Sequence, residues 1–180
     1  MNNYKTKIKL GERERFEIEN FALDNFLNPN IFYQNELGKN RHFCILNKTE
    51  TKISNLAKDI RQKTFTSIGI NEFLEEPIWG ILLGVHNEFG FIHENTDRAD
   101  NGFYHFRLNF LISKPIEGGM PIIDGQEFEV SEGESWVNIA SKWKHKSTPV
   151  IGKKARVVLS LGSLVKYQIV DSIMKEMGLE

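Results

Sequence analysis

The chain has 180 residues and a mass of 20.8 kDa, the size of one domain, and 40% hydrophobic with 26% charged residues is the balance of a globular protein, neither disordered nor membrane-like. A single cysteine, Cys44, excludes an internal disulfide and points to a reducing, cytoplasmic compartment. Twenty-three basic against 24 acidic residues leave a net charge of −1, which provides no global field for nucleic acid.

The N-terminus, MNNYKTKIKLGERERFEIEN, has no apolar signal core. The longest apolar run, Ile78 to Val85, is far short of the roughly 20 residues a membrane helix needs. Residues 1–77 read as a mixed α/β cap. Ile31–Leu37 is a candidate edge element and Arg41–Leu46 a strand. In Thr51–Thr64, apolar Ile53, Leu56, Ala57 and Ile60 follow the i, i+3, i+4, i+7 pattern of an amphipathic helix.

From residue 78 to 165, short apolar or alternating runs are separated by Gly, Pro, Asn and Asp. They are Ile78–Val85, Phe89–Ile92, His105–Ser113, Met120–Ile123, Glu127–Val130, Ser135–Ala140 and Arg156–Leu161. Short strands at this spacing predict a mainly β fold with flanking helices and a jelly-roll core. Residues 166–180 close the chain with a helix, since Ile169, Val170, Ile173, Met174 and Met177 recur at helical spacing.

The five histidines carry the candidate chemistry. His145 lies in the basic stretch SKWKHKS, eleven residues before Arg156, which opens the run RVVLSLG. On a jelly roll this places a potential metal ligand and a buried guanidinium facing inward, and arginine suits bidentate binding of a carboxylate. A surface histidine and a snorkelling arginine are the plainer alternative.

Upstream, FGFIHENTDRAD sets His93, Asn95 and Asp97 at alternate positions, which share a face on an extended strand. A His and a carboxylate two apart, joined by a distant His, make the facial triad of non-haem Fe(II) oxygenases. Residues two apart are about 6.6 Å apart and can share a metal, whereas residues four apart need a turn or bulge. The sequence offers His-x-Asn or Asn-x-Asp. His86-x-Glu88 has suitable spacing but reads as a polar hairpin turn. His42 and His105 read as structural.

In their order and spacing, Phe89–Asp97, Arg107–Asn109 (RLN), Glu117–Ile123 (EGGMPII), Glu132–Trp136 (EGESW) and His145–Gly162 resemble the Fe(II)- and 2-oxoglutarate-dependent dioxygenases. The likeness is greatest to the aspartyl/asparaginyl β-hydroxylase and proline-hydroxylase-like branch, and it spans about residues 84–165. It implies a double-stranded β-helix (jelly-roll, cupin-like) core, with Fe(II) and 2-oxoglutarate as cofactors. It makes His145 the distal iron ligand and Arg156 the partner of the 2-oxoglutarate C5 carboxylate, with Arg107 a second anion-binding residue and Ser160 an added hydroxyl. The implied ligand set is His93, Asp97 and His145, with Asn95 as alternative. In this motif the chain departs from the family, because either the acid or the histidine has become Asn95. Trp136 and Trp143 are candidates for the substrate mouth. The implied reaction is hydroxylation of a small polar molecule or amino-acid side chain with release of succinate and CO2. The alternative is a catalytically degraded module that binds a small carboxylate. Lysines 142, 144, 146, 153 and 154 form either a solvated face or an attractor for an anionic substrate.

Overall fold

The computed structural model describes residues 4–34, 40–98 and 101–179. Its main layer is a seven-stranded antiparallel sheet in the order β1 (Lys5–Lys9), β9 (Glu134–Ile139), β5 (Phe103–Ser113), β12 (Arg156–Lys166), β4 (Ile81–His86), β3 (Arg41–Ile45) and β2 (Tyr33–Gln34). A smaller sheet of β10 (His145–Ser147), β7 (Pro121–Ile123) and β8 (Gln126–Glu127) faces it. The pair β11 (Val150–Ile151) and β6 (Glu117–Gly118) extends that second layer. This is a double-stranded β-helix with flanking helices. The expected run Phe89–Ile92 is not a strand, and residues 35–37 of the expected edge element lie outside the described residues.

Side-chain alternation gives the main sheet two different faces. On the outer face, Cys44, Leu83, Val85, Phe106, Leu108, Leu159 and Leu161 are buried. Helices α1 (Glu12–Asn25), α2 (Lys52–Ser67) and α3 (Tyr167–Met177) supply the apolar surface around them. Ile18 and Ala22 of α1 and Val170 of α3 are fully buried, and Phe65 of α2 meets Phe106 edge-on at 5.5 Å. Thr51 caps α2 by accepting the Ser54 N–H, and Gly178 ends α3 in the left-handed conformation (φ 69°).

Residues before position 78 enter the sheet at both of its edges, because β1 pairs with β9 and β3 with β4. Neither β1 nor α1 is foreshadowed in the sequence. On α1 only Ile18 and Ala22 are buried, while Phe16 and Leu23 are exposed, so its apolar periodicity is weak. No helix among the described residues is long and apolar enough to cross a membrane.

Candidate active site

The inner face of the same strands carries the polar residues. Arg41 and Phe43 of β3, Leu82, Gly84 and His86 of β4, Arg156, Val158 and Ser160 of β12, Arg107 and Asn109 of β5, and Trp136 and Asn138 of β9 line one cavity. The opposite wall is formed by Pro121 and Ile123 of β7, His145 of β10, and the segment holding Ile92, Asn95 and Asp97. The cavity volume is about 330 Å³. Gly84 sits in its floor, where any larger side chain would project into the space between His86 and Val158.

Three residues converge on the second wall. Asn95 and His145 pair backbone to backbone, with His145 N donating to Asn95 O at 2.9 Å and Asn95 N to His145 O at 3.1 Å. Asp97 N donates to Ala140 O at 2.7 Å. The His145 ring places Nδ1 3.2 Å from Trp143 O. A carbonyl can only accept, so Nδ1 carries the proton and Nε2 keeps its lone pair for a ligand. Burial lowers the His145 pKa, partly opposed by the Trp143 carbonyl and Asp97, which favours the neutral, ligating form. Asp97 Oδ2 lies 3.8 Å from Arg107 Nε and 3.9 Å from His105 Nδ1.

His93 is not among these residues. The chain bends at Glu94, which breaks the extended geometry that would have aligned positions 93, 95 and 97, and the His93 ring packs on Phe91 at 4.4 Å. The residue two before Asp97 on the cavity wall is therefore Asn95. Among the described residues no group of three His, Cys, Asp or Glu side chains is placed to hold a metal ion. Asp97, His145 and Asn95 all line the cavity, and a carboxylate, an imidazole nitrogen and an amide oxygen are donor types that could hold a divalent first-row metal, with the histidine oriented through its other nitrogen.

The floor holds an excess of positive charge. Arg41, His86 and Arg156 stand in one row across β3, β4 and β12. Arg156 is 1% exposed, forms no ion pair among the described residues, and leaves Nε and Nη1 without hydrogen-bond partners. Burial, with Arg41 nearby, pushes its pKa down to about 9. Trp136 lies under its guanidinium at 6.0 Å from the ring centroid. His86 is not in a hairpin turn but buried at the end of β4, and burial together with Arg156 and Arg41 holds its pKa well below 6.5. Buried donors without acceptors are costly, and a bound anion would satisfy them.

Arg107 differs from Arg156, because its charge is already matched. Nη2 donates to Glu76 Oε2 at 2.7 Å, and the same carboxylate accepts the backbone N–H groups of Ile78, Trp79 and Gly80 at 2.7–3.1 Å. Gly162 gives the guanidinium room, since a Cβ there would fall 2.7 Å from Arg107 Nη1. Ser160 lies at this end of the cavity, 3.4 Å from Arg107 Nη1. Four residues of strand, about 13 Å, separate its backbone from that of Arg156, and both side chains line the cavity. Trp136 and the unforeseen Trp79 line the cavity, whereas Trp143 is in the core, edge-on to Tyr4 at 5.2 Å. Of the basic cluster, Lys144 and Lys146 pair with Glu94 and Lys154 with Glu132.

Fold and cavity together define a jelly roll with a cavity of mixed polar and apolar lining between its sheets. No family model and no curated protein matches the sequence. Solved structures do match the fold. AviO1 from Streptomyces viridochromogenes Tue57 superposes with a TM-score of 0.64 at 12% identity, covering 91% of this chain and 89% of that one. HygX from Streptomyces hygroscopicus, solved with nickel and 2-oxoglutarate, gives 0.63 at 9% identity over 88% and 80%. The viral collagen prolyl hydroxylase of Paramecium bursaria Chlorella virus-1, a 2-oxoglutarate complex, gives 0.58 at 14% over 90% and 95%. The chain has the fold of the Fe(II)/2-oxoglutarate oxygenases.

Proposed function

We propose that this protein is an Fe(II)- and 2-oxoglutarate-dependent oxygenase that hydroxylates a small polar molecule or an amino-acid side chain. The observation that carries the reading is the opposition, across one cavity, of Asp97 and His145 on one wall and the buried, unmatched Arg156 on the other. Asp97, His145 Nε2 and the Asn95 amide would hold the metal, and Arg156 would hold the C5 carboxylate of 2-oxoglutarate through its open donors. When bound, these cofactors supply oxidation of an unactivated C–H bond by O2, with release of succinate and CO2.

The chain's own contribution is positional and electrostatic. Trp143 O fixes the tautomer of His145, while Arg107, itself held by Glu76, stands beside Asp97 and restrains its carboxylate. Ile92, Ile123, Phe43 and Val158 make the remaining wall apolar, which limits water around a reactive site.

A module that binds a small carboxylate without turnover is the second reading, and Asn95 in the third ligand place favours it. Calorimetric titration with 2-oxoglutarate, with and without Mn(II), separates the two. The oxygenase reading expects Mn(II) to raise 2-oxoglutarate affinity at least tenfold in wild type and not in Asp97→Ala or His145→Ala. Metal-independent binding in all three would favour the module, and no binding would overturn both.

A further inference from the structure

Arg41 has no place in the resemblance, yet it faces the cavity with no ion pair among the described residues and with Nε buried and without a partner. Burial and Arg107 both lower its pKa, and among the described residues no carboxylate pairs with it. The other cations facing the cavity are accounted for: Glu76 matches Arg107, and Arg156 awaits the cosubstrate. One positive charge is left over. Arg156 is fully buried, whereas Arg41 is half-buried and stands on the other side of His86 in the same cross-strand row, two strands away from Arg156.

An apolar surface adjoins this charge. Phe43 lies under the Arg41 guanidinium, 5.9 Å from ring centroid to Cζ, and Trp79 packs edge-on to Phe43 at 5.3 Å. All three residues line the cavity. Its volume of about 330 Å³ is at the lower end of the roughly 300–1,000 Å³ typical of small-molecule sites, which limits what can share it with a cosubstrate.

We propose that the prime substrate is a small monocarboxylate with an apolar body, its carboxylate held by Arg41 and its body against Phe43 and Trp79. This rests on the oxygenase reading for the assignment of Arg156. A single leftover charge suits a carboxylate better than a phosphate dianion. Arg41 is thus a specificity-determining residue, reached by the β3–β4 pairing and separate from the cosubstrate anchor.

The test uses the full chain loaded with Zn(II) and 2-oxoglutarate, with ligand-observed NMR as the readout. The probes are cyclopentanecarboxylate, cyclopentanecarboxamide and phenyl phosphate. The wild type is expected to bind the acid at least tenfold more tightly than the amide or the phosphate. Arg41→Met and Arg41→Gln are expected to lose that preference while keeping 2-oxoglutarate affinity within twofold, whereas Arg156→Met loses 2-oxoglutarate at least tenfold. Equal binding of acid and amide, absence of acid binding, or a preference that survives in both Arg41 variants would overturn the proposal. So would tighter binding of the phosphate, or loss of 2-oxoglutarate on changing Arg41, which would make it a cosubstrate anchor. If wild type fails to bind 2-oxoglutarate, the oxygenase reading fails, and the acid-against-amide comparison without cosubstrate still decides the role of Arg41.

Discussion

The Arg107 guanidinium donates to the Glu76 carboxylate at 2.7 Å, and Glu76, 1% exposed, stands behind the cavity wall rather than in it. Burial alone would raise the Glu76 pKa, but Arg107 and the three backbone N–H groups of Ile78, Trp79 and Gly80 outweigh it and hold the carboxyl below its usual range. The pair therefore fixes an arginine beside Asp97 without leaving a free charge there.

Removing one partner should cost far more than removing both. Glu76→Gln removes the closer carboxylate and leaves buried Arg107 only the more distant Asp97 at 3.8 Å, for which a loss of about 3 kcal/mol is expected in urea unfolding. The double variant Glu76→Gln/Arg107→Met should recover much of that loss. Strict additivity of the two single changes would show that the pair is not coupled.

The third metal ligand is expected to be position 95. Asn95→His, which places an imidazole two residues from Asp97 on the cavity wall, should raise Zn(II) affinity at least tenfold in competition with a chelating dye. His93→Ala should leave affinity within twofold, because that ring packs on Phe91. A large loss in His93→Ala would restore His93 to the ligand set.

Stability should fall on mild acidification. His86, His145 and His42 all have pKa values below 6.5 in the fold, mainly through burial, so in acid the unfolded chain binds protons that the folded chain resists. The sign follows directly: stability is retained above about pH 6.5 and declines as pH drops below it. His86→Gln should lose less than wild type between pH 7 and pH 5 by urea midpoint, and an equal loss would mean that His86 does not contribute.

Gly84→Val should separate stability from binding. The strand gains a β-branched residue at a position with no positive φ, where a Cβ meets only the His86 ring at 3.4 Å and the Val158 carbonyl at 4.0 Å. Thermal stability should stay within about 1 kcal/mol of wild type. The larger side chain occupies the cavity floor, so 2-oxoglutarate should cease to raise the midpoint, and an undiminished shift would place the ligand elsewhere.

How much of this was legible depends on how locally each feature is encoded. Helices α2 and α3 announce themselves through periodicity, because each buries one stripe, and strands β4, β5, β9 and β12 through short apolar runs between turn residues, because both of their faces are buried. His145 and Arg156 stand out from their spacing, the resemblance adds a role to each, and both side chains line the cavity. The alternation rule failed at His93, since one bend at Glu94 turns its side chain away from Asn95 and Asp97. Arg41 and Glu76 were not visible as site residues. Arg41 arrives only through β3 pairing with β4 some 40 residues later, and Glu76 through a loop that turns its backbone N–H groups onto its own carboxylate. Trp143 reads as a rim residue in a basic stretch, but Tyr4, held just before β1 by the Val137 N–H, packs against it in the core, and nothing periodic in the sequence marks that strand.

The central claim is that Asp97 and His145 support turnover of 2-oxoglutarate, and succinate formation measures it most directly. Wild type incubated with Fe(II), 2-oxoglutarate and air should form succinate even without a prime substrate, and His145→Ala and Asp97→Ala should each lose at least 95% of that rate, an effect of roughly 2 kcal/mol or more on the barrier. Tight 2-oxoglutarate binding with no succinate from wild type, or undiminished succinate from either variant, would contradict it.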